Sequence, residues 1–101
     1  MSKVKTQKSK LKKTDKEIFI ALKKAESHLG NVIRMVIENK YCIDILQQNL
    51  AVIGLLKSAN NRLLKRHLNS CFVKAMKGTN EKQKKKMIDE ILQINKLAKN
   101  L

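Results

Sequence analysis

The sequence has no Pro, no Trp and only three Gly among its 101 residues. Because tight turns depend on Gly and Pro, this scarcity argues against a β-sandwich or a β-barrel. Aromatic residues make up 3% of the chain, too few for a protein that binds single strands by base stacking. The eight acidic residues are scattered, which argues against general acid–base catalysis. We therefore expect an all-α protein that is not an enzyme.

Positive charge is the abundant feature: 23 Lys or Arg give a formal net charge of +15. Such an excess favours nucleic acid or an anionic membrane as the partner. No apolar run is long enough to span a bilayer, and the N-terminus lacks the apolar stretch of a signal peptide. We expect a cytoplasmic protein without a membrane role. In a reducing compartment its two Cys suit metal binding or thiol chemistry better than a disulfide.

The charge distribution divides the chain into two regions. Residues 1–13 carry six Lys and no acid, which predicts a disordered basic arm. The arm would be either a solubilising tail or a segment that grips phosphates without reading sequence. Residues 14–101 are predicted to form a single helical domain.

Three helices are expected within that domain. Thr14 and Glu17 have capping-box spacing, which places the first helix start at residue 15 or 16. Its apolar stripe ends near residues 39–40. The second helix should run from residue 41 or 42 to 77, with Gly78 as the residue that closes it. Asn80 and Gln83 suggest a capping box for a shorter third helix.

Two features of these helices call for a partner or an explanation. Residues 50–56 of the second helix are apolar on nearly all sides, which indicates burial against neighbouring protomers. The basic segment 82–86 lies on the first turns of the third helix, where the helix dipole disfavours cations. A function or evolutionary drift would each account for that segment.

Cys42, His67 and Cys71 are the candidate metal ligands. His67 and Cys71 are four positions apart, so they lie on one helix face and could share an ion. Cys42 lies 29 positions before Cys71, about 43 Å along a continuous helix. Two antiparallel copies of the helix would bring Cys42 of one chain to His67 and Cys71 of the other. A two-fold axis then creates two equal sites per dimer.

Two thiolates and one imidazole form a soft ligand set. Three such ligands suit Cu(I), whereas Zn²⁺ would require a fourth donor. The spacing alone leaves another interpretation open, in which each Cys is a small core residue and the His–Cys pair is a coincidence.

The residues around these ligands resemble the CsoR/RcnR/FrmR family of metal-responsive bacterial repressors. The resemblance rests on residues 33–48, with Tyr41-Cys42-Ile43-Asp44 inside them, and on His67-Leu68-Asn69-Ser70-Cys71. It extends over roughly residues 17–95. It implies a three-helix protomer that assembles as a dimer of dimers, in an antiparallel helix bundle, with a metal site between protomers.

The ligand pattern Cys42, His67 and Cys71 is similar to that of the copper-sensing branch. The resemblance then implies a homotetramer that binds operator DNA without metal and is released on Cu(I) binding, with Tyr41 supporting the ligands. Candidate phosphate contacts are Lys12, Lys13, Lys16, Lys23, Lys24 and Lys57. The alternative is a copper-binding or thiol- or persulfide-responsive protein of the same fold with weak or non-specific DNA binding.

Overall fold

The structure is a computed structural model that describes residues 12–99. It contains four α-helices in this range: α1 (Lys13–Ile37), α2 (Cys42–His67), α3 (Val73–Lys77) and α4 (Glu81–Ala98). A π-helical turn, Leu68–Phe72, joins α2 to α3 without a loop. The described residues contain no strand. The predicted all-α protomer with a long central and a short last helix is confirmed, whereas its assembly stays a prediction.

Helix α1 begins two to three residues earlier than the capping box predicts. Thr14 is the second residue of α1, and the backbone amide of Lys16 donates to the carbonyl of Lys12 at 2.8 Å. Lys12 precedes the helix and supplies no side-chain cap. The prediction was wrong because Lys is a good helix former, so the helix continues through Lys13. The remainder of the predicted arm, residues 1–11, lies outside the described residues.

The turn after α1 falls where the sequence places it, at residues 39–40. Asn39 has a positive φ of 57°, a conformation that Asn adopts more readily than most residues with a Cβ. The amide of Lys40 donates a hydrogen bond to the carbonyl of Met35 at 3.0 Å. The amide of Asn39 donates to the carbonyl of Val36 at 3.1 Å. This pair of bonds is a Schellman motif, which satisfies the last carbonyls of α1.

The predicted caps of the last two helices had different outcomes. Gly78 ends α3, but with φ −78° and ψ 178° rather than in the left-handed conformation. A Cβ at Gly78 would lie 3.3 Å from the carbonyl oxygen of Ala75, so Gly is favoured here by a close backbone approach. The side chain of Asn80 accepts a hydrogen bond from the amide of Gln83 at 3.1 Å. Asn80 therefore caps α4 as predicted.

The described residues divide into two compact units, one ending at Leu64 and the other beginning at Lys65. The first unit contains α1 and most of α2, and the second contains the end of α2, the π-helical turn, α3 and α4. The buried apolar residues of the first unit are Ile18, Ala21, Ala25, Val32, Val52 and Ala59. In the second unit α3 contacts α4, and Ala75 is buried. The core is thus built mostly from Ala and Val, with Ile18 as its largest side chain.

Large apolar side chains remain exposed on both long helices of the first unit. On α2 they recur at spacings of three and four, which makes one continuous stripe. We call this the α2 apolar stripe; it consists of Ile43, Leu46, Leu50 and Ile53. Leu50 is 65% exposed although its neighbour Val52 is 4% exposed. Helix α2 therefore has one buried and one exposed apolar face within a single chain, and the predicted burial of residues 50–56 against neighbouring protomers stays a prediction.

Candidate metal site and DNA-contact residues

The three candidate ligands lie at the two ends of α2 and just beyond it. Cys42 is the first residue of α2, and His67 is its last. Cys71 lies in the π-helical turn that follows. Both Cys are exposed free thiols, and His67 is half-buried. All three side chains therefore keep the donor atoms that a soft metal requires.

Within a single chain, the described residues bring no three of the side chains His, Cys, Asp or Glu together as a metal site. His67 and Cys71 belong to the second unit and are separated by three residues. This pair supplies at most two donors. The third candidate ligand, Cys42, belongs to the first unit. A complete three-donor site thus needs a further donor beyond this pair.

The π-helical turn at Cys71 was not predicted from the sequence. The hydroxyl of Ser70 donates a hydrogen bond at 2.7 Å to the carbonyl of Arg66, and the Ser70 oxygen lies 3.8 Å from Sγ of Cys71. Such a bond from a Ser side chain to the preceding turn competes with the helical ladder. Single π turns often occur at functional sites. A Ser four residues after Arg66 is the only sequence hint of this irregularity.

Tyr41 immediately precedes α2. Its carbonyl accepts a hydrogen bond from the amide of Ile45 at 3.2 Å, which fixes the backbone beside Cys42. The Tyr41 side chain is 69% exposed. Its phenol is therefore open to a partner, while its backbone belongs to the first turn of α2.

The predicted DNA contacts all lie in the first unit. Lys13, Lys16, Lys23 and Lys24 fall within about a third of the circumference of α1 at 3.6 residues per turn. The ammonium group of Lys23 pairs with the carboxylate of Glu26. The other members of the predicted set, Lys12 just before α1 and Lys57 on α2, are exposed.

Comparison with known proteins identifies the family. The sequence model of the metal-sensitive transcriptional repressors matches residues 14–96. The chain belongs to this family. Its members are transcriptional repressors and not enzymes, so the expectation that the chain is not an enzyme is confirmed.

Individual relatives place the chain near the copper-sensing repressors of this family. It is 33% identical over 92 residues to the copper-sensing transcriptional repressor CsoR of Bacillus subtilis, with 91% of this chain and 88% of that protein covered. It is 42% identical over 55 residues to CsoR of Mycobacterium ulcerans, with 54% of this chain covered. That match spans about half the length of the mycobacterial relative, 47%.

A solved structure supports the same placement. The crystal structure of the copper-sensing repressor CsoR with Cu(I) from Geobacillus thermodenitrificans matches with a TM-score of 0.74 and 33% identity. The match covers 86% of this chain and 88% of that one. The predicted resemblance to the copper-sensing branch of the metal-sensitive repressors is therefore confirmed.

Among residues 12–99, none of the helices is both long enough and apolar enough to cross a bilayer.

Proposed function

We propose that this metal-sensitive repressor responds to Cu(I) through Cys42, His67 and Cys71. In the proposed site, Cys42 of one protomer meets His67 and Cys71 of a second protomer. Without metal the oligomer binds operator DNA, and in the metal-bound form it binds DNA weakly. Bound Cu(I) would supply a soft cation that holds two thiolates and one imidazole from two chains together.

The observation that carries this proposal is the placement of the three donors. Two of them, four positions apart, lie at the end of α2 and in the π-helical turn, and the third opens α2. Within one chain no described group of three donors forms a site. A second chain is the economical source of the missing donor, since a two-fold axis supplies it twice. The similarity to copper-sensing relatives supports the choice of metal.

The exposed apolar surface supports the oligomer. The α2 apolar stripe leaves four large side chains in contact with water, with Leu50 at 65% and Leu46 at 56% exposed. Burying a large apolar side chain fully stabilises an assembly by about 1.5–3 kcal/mol. An antiparallel pairing of two α2 helices about a two-fold axis would bury the stripe of each protomer against the partner's α2, which favours association of two copies along α2.

Binding to DNA follows from the charge on the first unit. The exposed cations Lys12, Lys13, Lys24 and Lys57 suit phosphate oxygens, because a Lys ammonium is a point charge that carries no base preference. Lys16 and Lys23 are half-buried and contribute from the same side of α1. We propose that these lysines hold operator DNA, whereas its sequence would be read by other groups.

The central experiment measures Cu(I) binding and DNA binding on the same samples. Cu(I) is titrated against a chromogenic competitor into wild type, Cys42→Ala, His67→Ala and Cys71→Ala. Each ligand variant should lose more than the roughly 10–100-fold affinity that a supporting residue contributes. His28→Ala is the matched control, because His28 is the only other His and lies on α1. Operator fragments are recovered by selection from random DNA.

Two results would reject the proposal in different ways. Equal Cu(I) affinity of wild type and Cys42→Ala would reject the shared site. Strong Cu(I) binding with unchanged operator affinity would reject the switch and leave a copper-binding protein. The exposed free thiols favour one alternative inducer, a persulfide donor, which should then release DNA from wild type and from His67→Ala equally.

A further inference from the structure

A cluster of lysines on α4 lies outside both the metal ligands and the predicted DNA contacts. Lys82, Lys85 and Lys86 are exposed on the first two turns of this helix. They line one shallow surface groove together with Asp89, Glu90 and Gln93. We call the three lysines the α4 lysine cluster. It belongs to a unit that is itself basic, with ten Lys or Arg and three Asp or Glu from residue 65 onward.

The charges of this cluster are not neutralised within the described residues. The neighbouring Lys84 pairs with Glu81 at 3.4 Å, but no ion pair forms for Lys82, Lys85 or Lys86 in the described part of the chain. Asp89 and Glu90 follow Lys85 and Lys86 by four positions. A cation that precedes its acid in the helix is the less favourable orientation of such a pair.

The position of the cluster raises its electrostatic energy. Three like charges lie within five residues, and they lie at the N-terminal end of α4, where the helix dipole is positive. A polyanion placed on this surface would relieve both repulsions. Residues 82 and 86 are about 6 Å apart along the axis of α4. Two successive nucleotides of one DNA strand rise by a similar distance, about 7 Å, along the axis of the duplex.

DNA is the polyanion that fits the family of this chain, whose members are transcriptional repressors. Met87 and Ile91, on the side of α4 away from the cluster, are half-buried in the fold of the second unit, in which α3 contacts α4. Four other apolar residues of α4 remain exposed, Ile88, Leu92, Ile94 and Leu97, and vesicle binding is therefore measured in the test below. Membrane-binding helices bury an apolar face in the bilayer as well.

We propose that Lys82, Lys85 and Lys86 form a second DNA-backbone contact surface, which binds phosphates and reads no base sequence. The proposal rests on the DNA binding proposed above and adds a contact surface in the other unit of the chain. It gives a function to the basic segment 82–86, for which the sequence alone left two explanations open.

The test compares salt dependence of binding to a random-sequence duplex in the absence of metal. The triple variant Lys82→Gln, Lys85→Gln, Lys86→Gln is compared with wild type and with Lys74→Gln, Lys96→Gln, Lys99→Gln. The control removes the same number of exposed lysines from the same unit. Since each phosphate contact contributes about 0.9 to the slope of log K against log salt, the cluster variant should lose about 2–3. Its affinity at 0.1 M salt should fall by about tenfold or more.

Two further variants check that charge is what matters. Replacing the three lysines by Arg should preserve the slope, because phosphate contact needs charge and not the identity of the cation. The variant Asp89→Asn, Glu90→Gln should bind the duplex more tightly than wild type. Helical circular dichroism and the melting temperature check folding, and the Gln variant should melt no lower, since it removes cations from the positive end of α4.

The outcomes separate this inference from the proposed function. A cluster variant with the wild-type slope, or a control that loses as much as the cluster variant, overturns the inference and leaves DNA binding by the first unit intact. Loss of binding to vesicles rich in phosphatidylglycerol, with DNA binding unchanged, identifies a membrane surface instead and also overturns it. A wild-type protein that binds no duplex at all would contradict the proposed function itself.

Discussion

The guanidinium of Arg62 on α2 donates a hydrogen bond at 2.9 Å to the carboxylate of Glu17 on α1, 45 positions earlier in the chain. Both side chains are a little under half exposed. This ion pair links the C-terminal part of α2 to the first turns of α1. It also neutralises the only Arg of α2 within the first unit, which leaves the exposed Lys57 as the unpaired cation on that part of the helix.

The pair should contribute little to stability and its contribution should depend on salt. In a double-mutant cycle of Arg62→Gln and Glu17→Gln, we expect a coupling energy of about 0.2–1 kcal/mol, since solvent-exposed pairs fall in this range. The coupling should shrink at 1 M salt because surface charges are screened. Chemical denaturation of the four proteins measures it. Lys57→Gln paired with Glu17→Gln is the control and should show no coupling.

The turn between α1 and α2 should be sensitive to the residue at position 39. Asn39 has a φ of 57°, and a left-handed conformation costs an ordinary residue about 1–2 kcal/mol. We expect Asn39→Val to lower the free energy of unfolding by about that amount and Asn39→Gly to leave it nearly unchanged. Urea denaturation of both variants at one protein concentration checks this. Equal stability of the Val and Gly variants would contradict the left-handed turn.

Exposure of the α2 apolar stripe predicts the behaviour of a single substitution within it. Leu50→Glu places a charge on a surface that is proposed to be buried between protomers, and an unpaired buried charge is very unfavourable. We expect dissociation to a smaller species, measured by sedimentation velocity. Ser58→Glu adds the same charge at an exposed position on a different face of α2 and is the matched control.

The interpretation of that experiment depends on the helix content. If Leu50→Glu keeps the wild-type oligomeric state and circular dichroism, the stripe does not mediate assembly. If it dissociates while Ser58→Glu does not, the apolar pattern of residues 50–56 has been explained by association. Such a dissociated protein should also lose high-affinity Cu(I) binding, since the proposed site needs donors from two chains.

The sequence predicted the helices well because they follow from spacing, whereas the metal ligands stay a prediction. The apolar stripes recur at three and four residues, and the Asn80 cap forms as its spacing to Gln83 requires. The start of α1 was missed because Lys13 is itself a good helix former, so the helix extends beyond the capping box at Thr14. The π-helical turn was missed because its cause, the Ser70 bond to the Arg66 carbonyl, leaves no periodic signal.

The shared metal site can be tested directly by mixing two inactive variants. One chain carries Cys42→Ala, and the other carries His67→Ala with Cys71→Ala. In a mixed dimer with the proposed two-fold site, one site has lost all three ligands and the other keeps all three. Random mixing should therefore restore about a quarter of the wild-type Cu(I) stoichiometry, although each variant alone binds weakly. Cu(I) competition after refolding the mixture from denaturant measures the recovery.

The control for this experiment is a mixture in which no intact site can form. Cys42→Ala is mixed with a chain that carries Cys42→Ala, His67→Ala and Cys71→Ala. Every site then lacks Cys42, whichever chains pair. Recovery in the first mixture and none in the control requires donors from two protomers. A site within one chain would give no recovery in either mixture, because each variant chain lacks at least one of its own donors.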